Sequence, residues 1–197
     1  MILEGIVTTI DDDGALNVAP MGPRIDDGMD RFVLRLFRSS RTFHNLEARR
    51  EGVLHVTDDV LLFARAVIGK VGHVDTRPAA AVRGRILIDS SRYYEFKVVS
   101  VDHAEERAEF HAETVERGRF RDLFGFNRAK HAVIEAAILA TRIGILPMRE
   151  IVDPLRPLGV MVVKTGGPRE REAFELLRDH IEESARRGDA MKDGAAP

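Results

Sequence analysis

The chain has 197 residues, 44% of them hydrophobic, and a formal net charge of −2 at pH 7. This composition allows a sizeable core in one large domain or a domain with a smaller companion, and the balanced charge excludes nucleic-acid binding through a strongly basic surface. The sequence has no cysteine and no apolar run of about 18 residues, which excludes thiol chemistry and a membrane helix, so we expect a cytoplasmic protein.

The first part of the sequence predicts short strands separated by turns. Residues 2–10 are rich in β-branched side chains and end at Asp-Asp-Asp-Gly, so 15–19 is predicted to return as the partner strand of a hairpin. Further strands are predicted at 31–37, 53–57, 83–88, 93–101 and, with some helical character, 108–115. Two helices are predicted within this region, at 43–50 and 60–68, the second capped by Asp58 or Asp59.

From residue 127 onward the apolar residues follow helical spacing. One helix is predicted over 127–143 and another over 168–187, the latter with Ala173, Phe174, Leu177 and Ile181 on one stripe. The apolar run 158–163 fits either a strand or a helix. This order predicts an α+β fold, an antiparallel β-barrel covered by helices. We expect a barrel domain over 1–118, a helical subdomain over 119–187 and a flexible tail over 188–197.

A strand followed by Ser39, Ser40, Arg41 and Thr42 at the start of a helix has the chemistry of a phosphate site. Three hydroxyls, a guanidinium and the free N–H groups of a first helical turn are all donors to an anion. Asn45 lies one turn further along the same helix and can reach back to the site. The alternative is an ordinary helix cap, since Ser and Thr are common there.

The segment Asn17, Ala19, Pro20, Met21 and Gly22 is suited to the wall of a flat, apolar pocket. Ala and Gly allow close approach, Pro stiffens the backbone and removes one N–H, Met packs on aromatic faces, and Asn donates and accepts hydrogen bonds. A flavin ring needs such a wall. The alternative is a strand that ends in a loop.

Together these segments resemble the FMN-binding split-barrel superfamily, which includes flavin reductases and pyridoxamine-phosphate oxidases. The resemblance is closer to a prokaryotic branch without a settled activity, in which a split barrel is joined to a helical C-terminal part. The residues that carry it are Glu4–Thr9, Asn17–Gly22, Arg41–Leu46, Val56–Asp59, Asn127–Ala136 and Lys164–Gly167.

The resemblance implies a split barrel of the Greek-key type and a homodimer with FMN at or near the subunit interface. Ser39, Ser40, Arg41, Thr42 and Asn45 would hold the phosphate or ribityl chain, and Asn17, Ala19, Pro20, Met21 and Gly22 would line the ring. The implied function is that of an FMN-dependent oxidoreductase of unknown substrate. Two alternatives remain, a non-catalytic flavin carrier or sensor and a split barrel that has lost its flavin. No catalytic residue is predicted, and the spacing of the histidines predicts no catalytic metal.

Overall fold

The computed structural model describes residues 1–123 and 125–193, within which the chain forms two compact units. The first unit comprises residues 1–58 and 73–123, and the second comprises residues 59–72 and those from 125 onward. This division differs from the expected boundary after residue 118, because the segment 59–72 groups with the helical unit. Val60, Leu61 and Ala64 of this segment are buried in the core of that unit, which explains the grouping.

The first unit is a β-structure with one helix. Its strands are β1 (Gly5–Ile10), β2 (Leu16–Met21), β3 (Arg24–Ile25), β4 (Arg31–Phe37), β5 (Glu51–Val56), β6 (Thr76–Pro78), β7 (Arg85–Leu87), β8 (Arg92–Asp102) and β9 (Arg107–Arg119), and its helix is α1 (Arg41–Arg49). One sheet has the strand order β2-β1-β5-β8-β9-β4-β3 with antiparallel pairing throughout, and β6 pairs with β7 separately. The predicted antiparallel arrangement is confirmed.

The N-terminal residues close the larger sheet on itself. Ile2 forms an antiparallel bridge with Arg24, and the N–H of Leu3 donates to the carbonyl of Pro23 at 3.1 Å. Because β1 lies near one end of the strand order and β3 forms the other end, these bonds join the two ends into a barrel. Strand β2 stays outside the closure, and within the described residues its outer edge has no strand neighbour.

Alternating side chains build the barrel core. In β4, Phe32, Leu34 and Leu36 are buried, as the apolar/polar alternation predicts. Helix α1 adds Phe43 and Leu46 to the same cluster. The helix therefore packs against the barrel through its apolar side, which leaves its first turn in a defined place next to the β1–β2 hairpin.

A buried histidine links the barrel to the small β6–β7 sheet. His55 in β5 is fully buried, its Nδ1–H donates to the carbonyl of Ile6 at 3.1 Å, and its Nε2 accepts from the N–H of Leu87 at 3.0 Å. Burial lowers the pKa of His55 to about 4. The ring is therefore neutral at physiological pH and acts as a structural link.

The second unit is helical. Its helices are α2 (Val60–Val67), α3 (Arg128–Ala140), α4 (Met148–Val152), α5 (Leu155–Thr165) and α6 (Pro168–Asp193). The predicted stripe Ala173, Phe174, Leu177 and Ile181 is buried in its core. Asp59 caps α2 by accepting from the N–H groups of the first turn. Within the described residues no helix is both long enough and apolar enough to cross a bilayer.

Several elements differ from the sequence prediction. Strands β3 and β6 and helix α4 are too short to show a period, and none of them was predicted. The undecided run 158–163 lies within α5. Helix α6 continues to Asp193, so the predicted tail is helical up to that residue. Residues 194–197 of the tail lie outside the described residues.

Candidate functional site

Helix α1 begins directly after the turn that follows β4. Ser40 is its N-cap residue, with extended backbone, and its hydroxyl oxygen accepts from the N–H of Phe43 at 3.2 Å. Ser39 is exposed in the preceding turn. Arg41 and Thr42 are the first helical residues, so their N–H groups have no acceptor within the helix. Ser40 thus fulfils the capping role, and the N–H groups of Arg41 and Thr42 lie at the positive end of the helix dipole, where an anion is favoured.

Four polar side chains connect α1 to the β1–β2 hairpin. The amide nitrogen of Asn17 donates to the hydroxyl of Thr9 at 3.1 Å and to that of Thr42 at 3.0 Å. The amide nitrogen of Asn45 donates to the same Thr9 hydroxyl at 2.9 Å. Thr9, Thr42 and Asn45 are exposed by 1%, 2% and 5%. Buried polar groups that satisfy one another are rigid, so this cluster fixes the first turn of α1 against the hairpin.

Arg41 is exposed and forms an ion pair with Asp11 in the hairpin turn. Asp11 also accepts from the N–H of Ala15 at 2.8 Å. The hydrogen bond from Arg41, and after it that from Ala15, holds the pKa of Asp11 below its usual value. Asp12 pairs with Arg49 in the last turn of α1 at 3.1 Å. The acidic turn therefore lies along α1, and it balances the charge of Arg41 beside the first helical turn.

The side chains of β2 alternate between the two faces of the sheet. Asn17, Ala19 and Met21 share one face, and Met21 packs against the barrel core. Val18 and Pro20 are on the other face. The side chains of the predicted ring segment thus do not form one flat wall. Within the described residues, the outer edge of β2 has no strand neighbour, and Pro20 in this strand has no N–H to donate.

Gly22 follows β2 where the N-terminal segment passes close by. A Cβ at this position would lie 3.1 Å from Cγ2 of Ile2 and 3.5 Å from the Glu4 carboxylate. This close passage accounts for the glycine without any ligand.

The structure brings together part of the predicted site. Asn17, Thr42 and Asn45 meet through Thr9, so Asn17, predicted at the ring, lies next to the predicted phosphate residues. Sequence reasoning missed Thr9 and Asp11. The pairing of Thr9 with Asn17 follows from the hairpin register, and a hairpin built around the Asp-Asp-Asp-Gly turn is the signal that could have revealed it.

A cavity of about 480 Å³ lies elsewhere in the barrel unit, along β3, β4, β8 and β9. Its lining includes Arg24, Arg31, Val33, His111 and Glu113, and none of the predicted site residues. Arg31 pairs with Glu113 at 3.0 Å, so the charge of that lining arginine is already compensated. The predicted site residues at α1 are therefore separate from this cavity.

Two family models match most of the chain. The model described as "Protein of unknown function (DUF447) N-terminal domain" matches residues 3–121, and the model described as "Protein of unknown function (DUF447)" matches residues 127–179. The first match covers the strands of the barrel unit, and the second covers α3, α4, α5 and much of α6.

Solved structures show the same fold. An FMN-bound protein of Methanosarcina mazei, also described with DUF447, matches with a TM-score of 0.79 at 22% identity over 91% of this chain and 94% of that one. The 2-nitrobenzoate 2-nitroreductase of Pseudomonas fluorescens matches with a TM-score of 0.51 at 17% identity, over 59% and 64% of the chains. Flavin reductase HpaC, solved with NADP⁺, matches with a TM-score of 0.52 at 18% identity, over 62% and 81%. These likenesses confirm the predicted split barrel with a helical C-terminal part.

Proposed function

The chain belongs to the DUF447 family, and we propose that it is an FMN-binding flavoprotein that works as an oxidoreductase. The observation that carries the proposal is the FMN-bound relative from Methanosarcina mazei, which has the same fold along nearly the whole of both chains. The first turn of α1 supports the proposal independently, because its residues have the donor chemistry that a phosphate monoester requires.

The phosphate of FMN would be held at the start of α1. The N–H groups of Arg41 and Thr42 and the guanidinium of Arg41 supply charge-assisted and dipole-oriented donors. Ser39 and Ser40 add hydroxyls from the preceding turn. Asn45 would act through Thr9, since its amide nitrogen is already bonded there. These residues fit a phosphate group, although Asp11 balances part of the positive charge.

The ring of FMN would lie along β2. From Asn17 to Met21 the strand extends about 13 Å at 3.3 Å per residue, which leaves room for a ribityl chain between phosphate and ring. Ala19, Pro20 and Gly22 would border the ring through their backbone at the free edge of the strand, where a polar ring edge can find carbonyl and N–H groups. When bound, FMN would supply the electron-transfer chemistry, and this chain would position it and shield one side of the ring.

The oxidoreductase role is supported by the fold shared with a nitroreductase and a flavin reductase. A shared fold does not set the reaction. The substrate and the electron donor therefore have to be identified by experiment. The homodimer with flavin near the subunit interface and the cytoplasmic location stay predictions.

Reconstitution with FMN tests the proposal. The purified protein is expected to be yellow, or to take up close to one FMN per chain, as measured by absorbance after removal of free flavin. Loss of NADH or NADPH absorbance in the presence of an acceptor would identify an oxidoreductase, and stoichiometric FMN without turnover would favour a carrier or sensor. A chain that takes up no FMN would contradict the proposal.

A further inference from the structure

Thr9 is the central member of the polar cluster beside α1. Its hydroxyl oxygen accepts from the amide nitrogens of Asn17 and Asn45, at 3.1 Å and 2.9 Å. These two residues come from β2 and from α1, the segments that would hold the ring and the phosphate of FMN. With an exposed fraction of 1%, Thr9 itself is out of reach of a ligand.

The hydrogen bonds of the cluster connect Thr9 to the start of α1. The two amide hydrogens of Asn17 are used by Thr9 and Thr42. Thr42 is exposed by only 2%, and the hydrogen bond that its oxygen accepts ties the second residue of α1 to the hairpin. The groups of this turn that face outward are the backbone N–H groups at the helix start, which have no acceptor within the helix.

We infer that Thr9 is a positioning residue for the phosphate of FMN: through Asn17, which also bonds Thr42, and through Asn45 it fixes the first turn of α1, whose backbone N–H groups would bind the phosphate. This inference rests on the proposed function. Without the Thr9 oxygen, the Asn17 and Asn45 amides lose their shared acceptor, and Asn17 keeps only its bond to Thr42. Thr42 and the helix start then lose the orientation that favours an anion.

The neighbouring Thr8 provides a matched control. Thr8 is also fully buried in β1, and its hydroxyl donates to the carbonyl of Arg85 at 2.7 Å. Its side chain is on the opposite face of the strand, so it has no part in the Thr9 cluster. Thr8→Val and Thr9→Val therefore remove the same group from adjacent buried positions, and only one of them disturbs the proposed phosphate site.

The experiment measures dissociation constants of FMN and of riboflavin, which lacks the phosphate, by flavin fluorescence. We expect Thr9→Val to weaken FMN binding about tenfold or more, the size of a lost or misaligned charge-assisted hydrogen bond. Riboflavin binding is expected to change much less. Thr9→Ser keeps the oxygen and should restore FMN binding, and Thr8→Val should leave the ratio of the two dissociation constants at the wild-type value.

A merely structural role of Thr9 would lower the melting temperature and weaken both ligands alike, and that result would overturn the inference. If Thr9→Val does not fold, the variants Thr9→Cys and Thr9→Ser are compared instead, because a thiol has a similar size to a hydroxyl but is a weak acceptor. Equal ratios of the FMN and riboflavin dissociation constants in these two variants would also overturn the inference. Wild-type protein that binds no FMN would refute the proposed function. If the wild type binds FMN and Thr9→Val has the same ratio of FMN to riboflavin dissociation constants, only this inference is refuted.

Discussion

Lowering the pH from about 7.5 to about 5 should destabilise the barrel unit through His55. The ring is fully buried, donates from Nδ1 to the carbonyl of Ile6 and accepts at Nε2 from the N–H of Leu87. A protonated ring has no acceptor nitrogen, so protonation would break the bond from Leu87 and bury a charge. Burial accordingly lowers the pKa of His55 from 6.5 to about 4.

The direction of the effect follows from proton binding in the two states. Between pH 6.5 and about pH 4 the unfolded chain holds a proton on His55 that the folded chain does not. Stability therefore rises with pH through this window, is complete above it and is lost as the pH falls toward 4. At about 1.4 kcal/mol per pKa unit the full difference is about 3 kcal/mol, of which about 2 kcal/mol is lost by pH 5.

Urea unfolding followed by tyrosine fluorescence measures this loss. The chain has two tyrosines and no tryptophan, and both Tyr93 and Tyr94 are in β8, so the signal reports on the barrel unit. The comparison is with His55→Gln, whose side chain does not titrate. The wild type should lose about 2 kcal/mol more than the variant between about pH 7.5 and pH 5. Equal losses in the two proteins would refute the reasoning.

Three further variants test the site and the fold. Arg41→Ala together with Thr42→Ala should weaken FMN by about 2–4 kcal/mol through lost charge-assisted bonds and leave riboflavin nearly unchanged in a fluorescence titration; equal loss of both ligands would put the phosphate elsewhere. Asp11→Asn removes the carboxylate that balances Arg41 and should tighten FMN binding, most strongly at low salt; weaker binding would show that Asp11 supports the site. Gly118→Ala should cost about 1–3 kcal/mol of stability, because a Cβ there would overlap Tyr93; an unchanged melting temperature would contradict this packing.

Local patterns predicted much of the fold. Strand β4 occupies the predicted range because alternating side chains with one buried face specify a strand and its orientation. The buried stripe of α6 was predicted in the same way, because its apolar residues recur at helical spacing. The pairing of the first residues with β3 has no local signal, since it joins segments that are distant in sequence. The same holds for the segment 59–72, whose apolar residues do not indicate which core they enter.

The placement of the candidate residues was predictable at α1 and less so at β2. The start of α1 was predictable because hydroxyls before a helix are typical caps, and its role as a phosphate site stays a prediction. At β2 the sequence reasoning took a run of residues as one surface, whereas a strand divides them between two faces and packs Met21 against the core. The position of Asn17 beside Thr42 depends on where α1 packs, which the sequence of the hairpin alone does not contain.

A crystal structure of the protein grown with FMN tests the central claim most directly. The account predicts phosphate density within hydrogen-bond distance of the N–H groups of Arg41 and Thr42, with the ring along the free edge of β2 near Pro20. Phosphate density at another place on the chain, such as the cavity beside Arg24 and His111, would contradict it.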